Sequence, residues 1–327
     1  MNRIEWEARK VVIVGAGAVG STFAYALVQS GIADDIALID HNQDLVKGQV
    51  LDLAHGLPFF PTIHVHEGTK TDYRDAHVIV IAAGARQLSG ESRLDLLKRN
   101  ITIIEQLADD IAVQESQAVI IVVSNPVDVL THVALKRLGR QKGRVIGSGT
   151  FLDSARLRYL LSQHCGIDVH NVHAYVLGEH GDSEFAAWSM THVAGLPIDR
   201  YCPFCSMCDD WKTERDKIMD EVRDSAYHII DNKGSTYFAI GSALVQIVAA
   251  ILRNQRSVLT VSTLLDGEYG IRDVCLSVPS IVSQNGVEQI IEEGLTEDEF
   301  QALARSAEAI RKISEGPHEE IYPEYYI

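Results

Sequence analysis

Short aliphatic and β-branched runs alternate with helix-length segments through the first half of the chain. Residues 10–14 (KVVIV), 36–40 (IALID), 78–83 (VIVIAA), 118–123 (AVIIVV) and 144–146 read as strands. Their apolar runs are continuous rather than alternating, which indicates strands covered on both faces. Between them, 19–30 reads as a helix stopped by Gly31, and 44–55 as a helix closed by Gly56. Strand and helix in regular alternation predict an α/β fold with a doubly wound parallel sheet. The rhythm changes after about residue 148. A helix over 152–163, a strand over 171–178 and a long polar helical stretch around 211–232 follow. Residues 257–265 and 274–282 read as antiparallel strands joined by the turn sequence DGEYG. The last helix opens with the capping box Thr296–Glu299 and should bury Phe300, Leu303, Ala307, Ile310 and Ile313. Two domains are expected, 1–148 and an α+β half over 149–327, with a site between them.

Composition narrows the function. The chain has 327 residues, 46% of them hydrophobic and 23% charged, enough for two domains. Its 29 basic and 45 acidic residues give a formal charge of −16, which disfavours nucleic-acid and membrane-surface partners. The apolar stretch 240–252 is too short to span a bilayer, and MNRIEWEARK has no apolar signal segment. Five cysteines are too few for a disulfide scaffold, which suits a reducing cytoplasm.

A dinucleotide signal stands at the first strand–helix junction. Gly15-Ala-Gly17-Ala-Val19-Gly20 follows a strand and opens a helix, the context a GxGxxG motif requires in a Rossmann unit. Gly15 permits the turn, Gly17 lets backbone approach a pyrophosphate, and Gly20 lets helix and strand pack closely. Asp40 ends the second strand, where a carboxylate accepts ribose hydroxyls and repels a 2′-phosphate. NAD is therefore expected over NADP.

The second half supplies groups for reducing a 2-keto acid. Such chemistry needs a proton donor for the carbonyl oxygen, a cation for the carboxylate and a polarising charge. Asp153 and Arg156 are three apart on one helix and share a face. Arg156 can fork onto a carboxylate, and Asp153 can orient an imidazole. His180, set in the glycine-flanked turn GEHG beyond a strand, is that imidazole.

These segments, together with AGARQLSGESRLDLLKRN (83–100), VVSNPVDVLT (122–131) and KGSTYFAIG (233–241), resemble the lactate/malate dehydrogenase family over nearly the whole length. The likeness is strongest to its NAD-dependent L-lactate branch. The resemblance implies reversible hydride transfer between NADH and pyruvate, with His180 as general acid/base and Asp153 as its orienting partner. It implies that Arg156 binds the substrate carboxylate and that Arg93 polarises the carbonyl from a closing loop over 85–91. Gln87, Asn125 and Thr236 would contact substrate. Val19, Asp40, Tyr73, Gly84, Ala85, Arg86, Val123, Asn125, Ser148 and Ile240 match family positions around the cofactor. Malate-specific members carry arginine where this chain has neutral Gln87, so a dicarboxylate would leave one buried charge unpaired. A malate or broader L-2-hydroxyacid dehydrogenase, and a non-catalytic NAD-binding protein, are the alternatives. The family is commonly tetrameric.

Arg158 lies two residues beyond Arg156 and points away from the pocket. With His173 it matches positions that, in allosteric members, bind fructose 1,6-bisphosphate between subunits. Cys202, Cys205 and Cys208 depart from the family pattern and read as free loop thiols rather than a metal site. His64 and His66 share a strand face, but no carboxylate or thiol cluster supports a metal there. No metal is expected, and the acidic tail 318–327 is assigned no role.

Overall fold

The computed structural model describes residues 8–85, 92–205 and 210–314, apart from the side chains of residues 93, 203–205 and 314. Six parallel strands form the first half of one sheet: β1 (Lys10–Val14), β2 (Asp35–Ile39), β3 (His64–Glu67), β4 (Val78–Ile81), β5 (Val119–Val122) and β6 (Val145–Gly147). Helices α1 (Ala18–Ser30), α2 (Gln43–Gly56), α3 (Arg93–Val113) and α4 (Val127–Leu138) cover it. In the second half α5 (Phe151–Cys165), α6 (Ile198–Cys205), α7 (Trp211–Lys233), α8 (Phe238–Leu252) and α9 (Glu297–Ser314) surround three longer strands. These are β7 (Ser257–Asp266), β8 (Arg272–Ser283) and β9 (Gly286–Ile290).

The sheet order is β9-β8-β7-β6-β5-β4-β1-β2-β3, with β1 to β6 parallel and β7 to β9 antiparallel. Strand order reverses between β1 and β4, the switch point where ligands sit in open α/β sheets. Every residue of β1, β4 and β5 is buried, which explains their uninterrupted apolar sequences. The two halves share this sheet, because Ser262 of β7 pairs with Gly147 of β6. A second, smaller core gathers Leu157, Leu161, Val176, Ile198 and Val222 between α5, α6 and α7.

The structure corrects several expectations. The strand expected over 171–178 is broken in two, Val172–His173 and Val176–Leu177, which pair with different partners. Between them, the Ala174 carbonyl accepts from Arg158 and the Tyr175 carbonyl accepts from Ala187 N–H, so neither continues one ladder. Gly56 does not close its helix in a left-handed turn; the chain runs on into a 3₁₀ turn, and a Cβ at Gly56 would meet the Phe60 ring at 2.6 Å. The capping box forms, with Thr296 N–H donating to Glu299 and Glu299 N–H to Thr296. Leu303, Ala307 and Ile310 are buried behind it, but Phe300, in the first turn, is 40% exposed. Cys202 is not in a loop: it is buried in α6, its Sγ 3.9 Å from His164 Nε2. Cys208 and the tail lie outside the described residues, as does the side chain of Cys205.

Candidate active site

The C-terminal ends of the parallel strands bring the cofactor residues together. Gly15, at φ +107°, packs so closely that a Cβ would stand 2.7 Å from the backbone of Ala82, and one at Gly20 would stand 1.8 Å from Gly15 O. A Cβ at Gly17 would meet nothing within 4 Å. Gly17 is the N-cap of α1, which has no side-chain cap and no acidic residue in its first turn. The open, uncapped helix start fits an anion as large as a pyrophosphate. Asp40 Oδ2 accepts the Ala16 N–H at 2.7 Å and its Oδ1 the Asn42 N–H at 3.0 Å. The carboxylate therefore ties the end of β2 to the glycine loop, beside that helix start.

Gly84 and Ala85 follow β4, Val123 and Asn125 follow β5, and Ser148 follows β6, all on the same edge of the sheet. Asn100, on the buried face of α3, links two of these loops: its Oδ1 accepts from Ala85 N–H at 2.8 Å and its Nδ2 donates to Asn125 O at 3.0 Å. Sequence reasoning missed Asn100, although a polar residue three positions after buried Leu97 was a usable signal. Val19 is half-buried in α1. Ile240 opens the first turns of α8, which packs along α1. Thr236 is half-buried in the connection leading into α8. Tyr73 differs from the rest: the whole residue is only 1% exposed and sits in the core, which the expected cofactor contact does not anticipate. Arg86 and Gln87 lie outside the described residues; Arg93 begins α3, and its side chain is likewise outside them.

The catalytic candidates converge at the start of α5. Asp153 lies in the first turn of that helix, 1% exposed, where a carboxylate is favoured by the helix dipole. Its Oδ2 is 2.6 Å from His180 Nδ1 and its Oδ1 accepts from Arg156 Nη1 at 2.5 Å. One carboxylate thus holds both the imidazole and the guanidinium. His180 Nε2 makes no hydrogen bond among the described residues, and 26% of the side chain remains exposed.

Two further buried acids belong to the arrangement. Asp128 Oδ2 accepts the His180 backbone N–H at 2.8 Å while its Oδ1 accepts from Ser262 Oγ at 2.5 Å. Glu184 is 3% exposed, and a carboxylate oxygen of it lies within 4.8 Å of donor atoms of Asp153 and His180. Neither was foreseen as a site residue. Asp128 stands inside the recognised segment VVSNPVDVLT and Glu184 follows GEHGDS directly, but sequence cannot show which acids fold inward.

Burial opposes charge on His180, yet the Asp153 carboxylate, with Glu184 and Asp128, outweighs it and lifts the imidazole to about 9. Burial likewise pushes Asp153 up, but His180 and Arg156 hold it below the usual carboxylate range. Glu184 is pushed up to about 9 by burial and by the Asp153 charge. Burial raises Asp128 to about 6 against its two hydrogen bonds. The site therefore holds a protonated imidazole beside a cation, with one firmly ionised carboxylate between them. That set can donate a proton to an oxygen while anchoring an anionic group.

Comparison with known proteins identifies the family. Residues 9–147 match the model of the lactate/malate dehydrogenase NAD binding domain, and 150–320 that of the lactate/malate dehydrogenase alpha/beta C-terminal domain. The L-lactate dehydrogenase of Treponema denticola is 59% identical over 304 residues, covering 93% of this chain and 96% of that protein. That of Acetivibrio thermocellus is 48% identical over 305 residues, 93% of this chain and 96% of its own length. A solved lactate dehydrogenase from a Medee basin deep-sea metagenome library superposes with a TM-score of 0.91 at 43% identity, covering 95% of this chain and 99% of that one. Two family models side by side, and relatives this similar over almost their full length, show that this chain belongs to the lactate/malate dehydrogenase family.

Proposed function

We propose that this protein is an NAD-dependent L-lactate dehydrogenase interconverting pyruvate and lactate, with 1–148 binding the dinucleotide and 149–327 the substrate. The observation that carries this reading is Asp153, buried in the first turn of α5, bridging His180 and Arg156. When bound, the nicotinamide supplies or accepts the hydride at the substrate C2. Arg156, steadied through one nitrogen by Asp153, takes the substrate carboxylate with the rest of its guanidinium fork. His180 gives its Nε2 proton to the carbonyl oxygen, and Asp153 on Nδ1 fixes the ring and supports the charged form. Arg93 polarises the carbonyl, Asn125 hydrogen-bonds near the same oxygen, and Thr236 lines the pocket. Gln87 leaves a second substrate carboxylate without a cation, which favours pyruvate over oxaloacetate.

A homotetramer in the cytoplasm is part of the same reading; no helix among the described residues is long and apolar enough to cross a membrane. Allosteric control by fructose 1,6-bisphosphate is supported by a basic pair. Arg158 Nε donates to Ala174 O at 3.2 Å, which parks the guanidinium beside the strand carrying exposed His173. The test is NADH oxidation with pyruvate and with oxaloacetate, each with and without the bisphosphate. Pyruvate preference is expected, with activation through Arg158 and His173. A preference for oxaloacetate refutes the substrate assignment, and oxidation of neither substrate refutes the activity.

A further inference from the structure

The opposite edge of the sheet carries a second convergence of donor atoms. Parallel register places Lys10, Asp35 and His64 side by side across β1, β2 and β3, with Ala37 opposite His66 two residues on. Ala37 presents only a methyl group, so the His66 ring has room to lean toward Asp35. His64 Nδ1 lies 2.8 Å from Asp35 Oδ1, and His66 Nε2 lies 3.4 Å from the same oxygen. The two imidazoles stack with centroids 4.8 Å apart. The carboxylate that sequence distance concealed, 29 residues upstream of His64, is therefore present.

Two details make this more than a surface ion pair. Lys10 Nζ is committed to Asp72 at 2.7 Å and Asp75 at 2.9 Å, and reaches only Asp35 Oδ2, at 4.0 Å. Asp35 Oδ1 is left to the histidines. His66 Nδ1 lies 3.2 Å from Glu67 O, and because a carbonyl only accepts, that nitrogen carries the hydrogen. The His66 Nε2 edge faces the same Asp35 oxygen that His64 Nδ1 approaches, so three donor atoms from two adjacent strands converge. A backbone carbonyl on the far nitrogen is also how metal-ligating histidines are held. The 3.4 Å separation is close to the ~3.3 Å edge of a tetrahedron with bonds of about 2.0–2.1 Å, whereas the 2.8 Å between His64 and Asp35 is a hydrogen-bond distance that opens when a cation enters.

We propose that Asp35 Oδ1, His64 Nδ1 and His66 Nε2 form a binding site for a divalent transition cation of the zinc class, with water completing its shell. Two imidazoles and one carboxylate suit Zn²⁺ better than the all-oxygen sites of Mg²⁺ or Ca²⁺. The site clips edge strand β3 to β2 at the start of both strands, whereas the cofactor loops leave the sheet at the other end. Its effect is on the stability of the sheet edge rather than on turnover.

The test is calorimetric titration of chelator-stripped protein with Zn²⁺, for wild type, His64→Ala/His66→Ala and His180→Asn. The last controls for metal caught by the Asp153, His180 and Glu184 group. One equivalent is expected to bind wild type and His180→Asn and to raise the melting temperature. In the double variant that binding should weaken by more than the ~10–100-fold that loss of an outer-shell partner costs, while pyruvate turnover persists. Imidazole nitrogen resonances of His64 and His66 in the wild type should shift with the same stoichiometry, a readout that needs no variant. No Zn²⁺ binding by wild type, unchanged binding in the double variant, or unmoved imidazole signals would overturn the site and leave a histidine pair hydrogen-bonded to Asp35.

Discussion

Asp128 grips His180 by its backbone, accepting the His180 N–H at 2.8 Å from an entirely different half of the chain. The same carboxylate receives the Ser262 hydroxyl, so one buried group aligns the catalytic turn with β7. Asp128→Ala leaves both donors unpaired inside the protein and should cost about 1–3 kcal/mol of stability. Asp128→Asn keeps an acceptor for His180 N–H and should retain most of it. Urea denaturation and kcat/KM should both rank wild type above Asn, and Asn above Ala; equal values for all three would remove Asp128 from the scaffold of the site.

Replacing His180, the proposed proton donor, separates chemistry from cofactor binding. His180→Asn should lower kcat for pyruvate by ~10²–10⁴-fold while NADH affinity, followed by fluorescence titration, changes little. Undiminished turnover would exclude His180 as the acid.

The pH profile follows from the charge around His180. Pyruvate reduction needs the imidazolium, so kcat/KM should be flat near neutrality and fall as pH rises through about 9. The reverse reaction should gain over the same range. The raised value also means that this ion pair adds stability fully present below the ordinary imidazole pKa and lost as pH climbs through about 9. Asp153→Asn removes the main force lifting the imidazole and should move the alkaline limb to lower pH. Kinetics of both directions against pH provide the check, and an unmoved limb would assign it to another group.

Substrate choice should turn on a single side chain. Gln87→Arg should raise the ratio of oxaloacetate to pyruvate kcat/KM, since it adds the cation that a second carboxylate lacks. An unchanged ratio would show that residue 87 does not read substrate charge.

Much of this was legible before any coordinates. The glycine loop, the strand ends at Asp40 and Ser148, and the pairing of Asp153 with Arg156 all follow from local spacing or strand rhythm. Other contacts depend on register and on which acids face inward, which local pattern does not encode. Asn100 spans two loops, Asp128 meets His180 from 52 positions away, and Asp35 reaches His64 only because β2 and β3 align as they do. The broken strand at 172–177 failed for a related reason: its apolar residues suit a strand, but two different neighbours compete for its backbone.

The pairing of Gly147 with Ser262 bears on how the molecule comes apart. A fragment ending at 148 would expose the hydrogen-bonding edge of β6, a ready template for aggregation, and would separate Asp128 from both of its partners. The dinucleotide-binding half is thus a unit of recognition without being a self-sufficient unit of folding. Heating should melt both halves in one transition, and truncations at the apparent boundary should yield insoluble protein rather than a working nucleotide module.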